Sequence, residues 1–154
     1  MNTNELNTLR KKLQSEVYPS TPMIMIGMGT CGIGNGADLV FNAIHNYLNN
    51  NKLKIELKQT GCFGFCAEEP LVMVYQPKKP VLVYCKVDEK DAVQIADSIG
   101  KQKIYQKKIL CRIDGWDHIT SHYSFGKGYN DIPHWDEIPF FKKSRMKAGV
   151  IVCV

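Results

Sequence analysis

The sequence predicts an α/β fold, a βαβ unit followed by a β-hairpin and a helix. Three observations predict it. Met23-Ile24-Met25-Ile26 is a continuous apolar run of the length expected for a strand covered on both faces. Leu39, Val40, Ala43, Ile44, Tyr47 and Leu48 recur at helical spacing just after it. Lys54-Ile55-Glu56-Leu57-Lys58 then alternates polar and apolar, which is a strand signal.

The elements follow in order. Leu6, Leu9, Leu13 and Val17 predict a helix over Asn4 to Val17. Pro19 and Pro22 break it. Strand Met23–Ile26 leads into a loop, Gly27 to Gly36, with five glycines in ten residues. A helix from Ala37 to Asn49 is expected to end at Asn49-Asn50-Asn51. A strand–helix–strand crossover is normally right-handed and sets its strands parallel. The loops after both strands then leave the same edge of the sheet, where ligands of open α/β sheets usually sit.

Leu71 to Tyr75 and Val81 to Tyr84 form a hairpin around Pro77 and Pro80, which need no ladder hydrogen bond there. Asp88 to Ile99 is an amphipathic helix with Ala92, Val93, Ile95, Ala96 and Ile99 inward and Gly100 as its stop. This order, βαβ-ββ-α after a leading helix, is a thioredoxin-like arrangement. The expected organisation is an N-terminal helix over 1–19, the α/β domain over 20–100, and an irregular C-terminal extension over 101–154. Within the extension, Ile109 to Ile113 reads as a short strand or a packed extension. Asp114 to Glu137 reads as a peripheral arm with some order.

Bulk properties narrow the function. The 154 residues suffice for one domain with a real core. Hydrophobic content of 44% and charged content of 23% are ordinary for a water-soluble protein. No run approaches the roughly 20 apolar residues of a membrane span. The polar start, Met1 to Leu6, lacks a signal-peptide core, so a cytoplasmic setting is expected. Six cysteines there point to metal or thiol chemistry rather than a disulfide framework. Residues 101–154 hold ten Lys and Arg against five Asp and Glu, and so account for the whole net charge of +5. That segment lacks an aromatic RNA-binding signature or a zinc-finger spacing, so a nucleic-acid partner is disfavoured.

The chemistry concentrates in two cysteine loops. One is Gly27-Met28-Gly29-Thr30-Cys31-Gly32, and the other runs Thr60-Gly61-Cys62-Phe63-Gly64-Phe65-Cys66-Ala67-Glu68-Glu69-Pro70. Gly64 lets the chain turn tightly enough for Cys62 and Cys66 to face one centre. Ends of neighbouring strands lie about 5 Å apart, so Cys31 can join them. Soft thiolates favour zinc or iron–sulfur, and glycine N–H groups can tune a cluster's potential. The alternative is three small residues buried in glycine turns; three thiols in this pattern favour the metal–sulfur site. The three-residue gap between Cys62 and Cys66 is not the two-residue gap of redox dithiols or zinc knuckles.

The runs 24–37 and 60–70 resemble the thioredoxin-like [2Fe-2S] ferredoxin domain. They are similar in particular to its version at the N-terminus of NADH-binding flavoprotein subunits of complex I-type dehydrogenases and electron-bifurcating hydrogenases. The hairpin, the Tyr84-Cys85-Lys86-Val87 step and the following helix also fit. The resemblance covers about residues 20 to 100 and returns at Asp136 to Lys143, which is similar to the linker before the flavin-binding domain. It implies a [2Fe-2S] cluster held by two cysteines from each loop. Cys31, Cys62 and Cys66 match three of these positions. The remaining one falls near Gly27, which has no side chain. Cys85 is a weak candidate for the fourth ligand against the favoured reading of an ordinary strand-end residue. Cys111 and Cys153 are weaker still. The sequence stops where the flavoprotein body would begin, so no FMN or NADH site is expected.

Other features carry bland readings. His118 and His122, near Asp114 and Asp117, read as surface histidines. The glycine-rich loop lacks the Lys-Ser/Thr of a phosphate loop. Lys78-Lys79, Lys107-Lys108 and Lys142-Lys143 read as solvated pairs or contacts to an acidic partner. Trp116, Tyr123, Phe125, Tyr129, Trp135, Phe140 and Phe141 either cover a small core of their own or dock a partner. The expected function is an electron carrier or a subunit fragment of an NADH-dependent oxidoreductase, not a complete enzyme. It would serve a flavin- or iron–sulfur-containing subunit, with a homo-oligomer as a further option. The alternative is a cluster-less binding module on the same fold. A third reading, thiol–disulfide or zinc chemistry at Cys62 and Cys66, is disfavoured by their spacing.

Overall fold

Apolar runs at 23–27, 72–75 and 81–84 form the middle of one sheet in the computed structural model, which describes residues 2–17, 19–62, 64–114 and 128–144. The helices are α1 (Thr3–Val17), α2 (Thr30–Gly34), α3 (Ala37–Asn51), α4 (Glu89–Gly100) and α5 (Pro139–Ser144). The strands are β1 (Met23–Gly27), β2 (Glu56–Thr60), β3 (Val72–Tyr75), β4 (Val81–Tyr84) and β5 (Ile109–Ile113). Their order across the sheet is β2-β1-β3-β4-β5. β1 and β2 are parallel, with Met23 opposite Glu56 and Gly27 opposite Thr60. The remaining neighbours are antiparallel. This is the predicted thioredoxin-like α/β arrangement behind an N-terminal helix.

Every residue of β1, β3 and β4 is buried. Alternation along the strands sends successive side chains to opposite faces. Ile24, Ile26, Val72, Val74, Leu82 and Tyr84 meet α3 and α4 on one face. Met23, Met25, Met73, Val81 and Val83 lie on the other. That second face is covered by the C-terminal segment, through Trp135 and Phe141.

The C-terminal segment is thus part of the sheet and its cover. Ile109 to Ile113 is a true fifth strand. The Arg112 guanidinium donates to the Tyr129 carbonyl at 3.2 Å and to the Ile132 carbonyl, and the Arg112 N–H donates to Pro133 O at 2.9 Å. These bonds hold residues 129–133 against β5. Tyr129 and Ile132 are buried on the first face rather than peripheral. Trp116, Asp117, His118, His122, Tyr123, Phe125 and Cys153 lie outside the described residues.

Smaller differences have local causes. β2 begins two residues later than expected. α3 runs through the three asparagines and ends at Lys52, whose φ of 52° is left-handed; the Leu53 N–H then closes on Leu48 O at 3.1 Å. α4 includes Gly100 and is capped at Lys101. Leu39 is 53% exposed, because Val40, Ile44 and Leu48 take the inward stripe one position away. α1 forms as expected, with reciprocal Asn2 and Glu5 capping bonds of 2.9 Å. Its Leu6, Leu9 and Leu13 stay exposed. Among the described residues, no helix is long and apolar enough to cross a membrane.

Candidate functional site

The β1–β2 register brings both cysteine loops to one edge. The Met28 N–H donates to Thr60 O at 2.8 Å, which continues the ladder one step past β1. The glycine loop then folds into the short helix α2 rather than remaining irregular. Asn35 closes that helix: its side-chain amide donates to Cys31 O at 2.7 Å, and its backbone N–H reaches the same carbonyl at 3.1 Å. Cys31, the second residue of α2, is exposed.

Glycine is required where the loops meet. A Cβ on Gly29 would lie 2.9 Å from Cys62 Cβ, and one on Gly32 would lie 2.3 Å from Gly27 O. Side chains there would force α2 away from the second loop and from the end of β1. Gly64 has φ +80°, which suits its turn between the two cysteines. Its N–H donates to Cys62 Sγ at 3.2 Å.

Cys62 Sγ and Cys66 Sγ are 3.8 Å apart. Cys66 also meets the Cys31 thiol, and that contact is the main cause raising the Cys66 pKa. At Cys62 the Gly64 N–H lowers the pKa. Partial burial, Cys66 and the Glu69 charge outweigh it, so this thiol too lies above its usual range. Raised thiols are poor nucleophiles at neutral pH, which weighs against thiol–disulfide chemistry. Bound metal removes such protons outright.

Glu69 lies against the end of β1 and the start of the first loop, at a position that sequence reasoning passed over. It is buried, at 5% exposure. Its Oε2 accepts from the Leu71 N–H at 2.7 Å, whereas its buried Oε1 has no partner among the described residues. Burial pushes its carboxyl pKa up, against the Leu71 bond. An unpaired buried polar atom costs about 1–3 kcal/mol. The carboxylate lies over Gly27: a Cβ there would stand 3.2 Å from Oε1 and 3.3 Å from Oε2. An acid three residues after Cys66 and just before Pro70, together with a glycine in the first loop, was the signal available in the sequence.

Cys85 lies elsewhere. Its backbone N–H donates to Lys108 O at 2.9 Å. Burial, then the neighbouring Glu68, raise its thiol pKa. It packs beside the second-face core that contains Cys111, whose pKa burial pushes up to about 12. Among the described residues, no group of three or more His, Cys, Asp or Glu converges on a single metal position. A two-iron cluster takes its ligands as a pair on each iron, so it does not need such convergence. Three soft thiols in glycine-rich loops fit that group by donor type. Among the described residues, no fourth cysteine is beside them.

No protein-family model matches the chain. Among curated proteins it is similar to the NADP-reducing hydrogenase subunit HndB of Solidesulfovibrio fructosivorans, 30% identical over 74 residues. That match takes in 47% of this chain and 59% of the relative, so the chain spans under two thirds of that protein's length. Among solved structures it is similar to the wild-type thioredoxin-like [2Fe-2S] ferredoxin from Aquifex aeolicus. The TM-score is 0.51 at 16% identity, over 59% of this chain and 97% of the ferredoxin. A further structure of a thioredoxin-like [2Fe-2S] ferredoxin from that organism gives 0.53 at 16% identity, over 60% and 93%.

The chain has the fold of the thioredoxin-like [2Fe-2S] ferredoxins. On this ferredoxin fold the paired loops lie at the C-terminal ends of β1 and β2, with Cys31 and Cys66 facing solvent. α1 and much of the C-terminal segment are additional to the core order that the sequence predicted.

Proposed function

We propose that this chain is an iron–sulfur electron-transfer module. It would hold a [2Fe-2S] cluster through Cys31, Cys62 and Cys66 and exchange single electrons with a flavin- or iron–sulfur-containing subunit of an NADH-dehydrogenase or hydrogenase-like complex. The observation that carries this reading is the meeting of the two loops, with Cys62 and Cys66 sulfurs 3.8 Å apart and Cys31 against Cys66. The similar proteins, a ferredoxin and a hydrogenase subunit, support the same reading.

The cluster would supply reversible one-electron chemistry. The chain's own residues do the rest. Cys31, Cys62 and Cys66 give up their protons on binding. The Gly64 N–H, already on Cys62 Sγ, favours added negative charge on that sulfur and so tunes the potential. Exposed Cys31 and Cys66 keep the site near the surface, within reach of a partner. Ile33 and Leu39, each about half exposed, give that edge apolar contacts. A cytoplasmic setting, where thiols stay reduced, belongs to this reading.

Gly27 favours a second reading, a cluster-less module that docks a redox partner. Burial of Tyr129, Trp135 and Phe141 places three of those aromatics in the core rather than on a docking surface. Purification without oxygen, followed by a visible spectrum and iron and sulfide analysis, separates the two. A coloured protein with iron and sulfide is expected. A colourless, iron-free protein after anaerobic reconstitution leaves the binding module. Zinc in their place returns the third reading.

A further inference from the structure

We infer that Glu69 is the fourth ligand, so that this chain binds its iron–sulfur group through three thiolates and one carboxylate. The inference rests on the electron-transfer reading and names the donor which that reading lacks. Gly27, where the sequence resemblance places the missing ligand, carries no side chain. The Glu69 carboxylate comes from the other loop and occupies the space that a side chain at Gly27 would enter, 3.2 and 3.3 Å from the position of its Cβ. The two residues are complementary: a longer residue at 27 would collide with Glu69.

The carboxylate has one oxygen bonded and one unbonded. Oε2 is fixed by the Leu71 N–H at 2.7 Å, which orients the group. Oε1 is buried and has no partner among the described residues. Buried carboxylates are normally paired or bound to metal. Lys86 is no such partner, since its ammonium meets Glu68 at 3.4 Å. Glu69 lies close enough to Cys62 and Cys66 for its charge to act on both thiols. Cys85, the weak candidate of the sequence, lies elsewhere and is engaged with Glu68. An oxygen donor is compatible with iron and zinc but is harder than thiolate, so the spectrum should differ from that of a four-thiolate cluster.

The test compares wild type, Glu69→Gln, Glu69→Ala and the double variant Gly27→Cys with Glu69→Ala. Each is reconstituted with iron and sulfide without oxygen, then challenged with a chelator. Iron per chain, visible spectrum and the paramagnetic resonance of the reduced protein are recorded. Glu69→Gln keeps an acceptor for the Leu71 N–H, so its fold should persist; circular dichroism of the apo forms checks this. It should retain iron at least about ten-fold less well than wild type, the lower end of losses from disturbing a metal site's outer partners. The double variant should recover iron, with a spectrum shifted from wild type by the added thiolate. Wild-type retention and an unchanged spectrum in Glu69→Gln and Glu69→Ala would overturn the ligand assignment and leave the electron-transfer reading standing. Wild type that takes up no iron would overturn both.

Discussion

Trp135 stacks on Phe141, with ring centroids 3.4 Å apart and planes 12° from parallel. Both rings are 1% exposed, and they close the second face of the sheet with Met23, Met25, Met73, Val83 and Cys111. Among the described residues, no long helix covers that face. Phe141→Ala should therefore destabilise the fold by about 3–5 kcal/mol, the usual cost of emptying a buried aromatic position. Phe140 stacks on Phe65 at 4.2 Å but is only half-buried. Phe140→Ala should cost clearly less. Urea unfolding of both variants decides it, and equal losses would mean that Phe141 is not the centre of this packing.

Gly32 and Gly34 belong to the same short helix but face different surroundings. A Cβ on Gly32 meets Gly27 O at 2.3 Å, whereas nothing lies within 4 Å of one on Gly34. Gly32→Ala must displace backbone, at a cost of about 1–3 kcal/mol, as overpacking usually does. Gly34→Ala should be neutral or gain about 0.4–1 kcal/mol by restricting the unfolded chain. Thermal unfolding of the apo-protein compares them. A Gly32→Ala variant as stable as wild type would show that α2 is free to lift from the end of β1.

Much of the fold was legible because its signals are local. The apolar runs at β1, β3 and β4 have the length of strands and no helical period. The alternation before Thr60 and the helix between them required a parallel pair, which placed both cysteine loops at one edge. The cover of the second face was not legible. Trp135 and Phe141 stand in a stretch without a period, and only the three-dimensional register of β5 and the Arg112 bonds bring them over the methionines. Glu69 was hidden for a related reason. Acids before proline are ordinarily solvated loop residues, and burial under Gly27 arises only when the two loops meet.

Cys85 and Cys66 should respond differently to the same change. Cys66 shares its environment with Cys31 and Cys62, whereas Cys85 packs near Glu68 and the second-face core. Cys66→Ser should lower iron retention at least about ten-fold, because a ligand is lost. Cys85→Ser should leave iron content and visible spectrum as in wild type. Bleaching in Cys85→Ser alone would transfer the fourth position to Cys85 and remove it from Glu69.

Asp88 gives the fold a pH dependence separate from the cysteine site. It is the N-cap of α4, and its Oδ1 accepts from the Asp91 N–H at 2.8 Å. That bond, with the Lys90 N–H and the charges of Lys108 and Lys90, holds its pKa below the ordinary 3.8 despite some desolvation. A carboxyl whose pKa is lower when folded stabilises the native state while it is ionised. The contribution is complete above the unfolded pKa and disappears as pH falls through the folded one. Asp88→Ala should cost about 1 kcal/mol at neutral pH, as a lost N-cap does. Asp88→Asn keeps a capping oxygen without the titrating charge. The stability difference between wild type and Asp88→Asn should therefore be constant from pH 7 down to about 5 and shrink below about pH 4. Urea unfolding across that range measures it. A difference that stays constant to the acid limit would show that the cap acts by geometry alone, with the carboxylate charge contributing nothing.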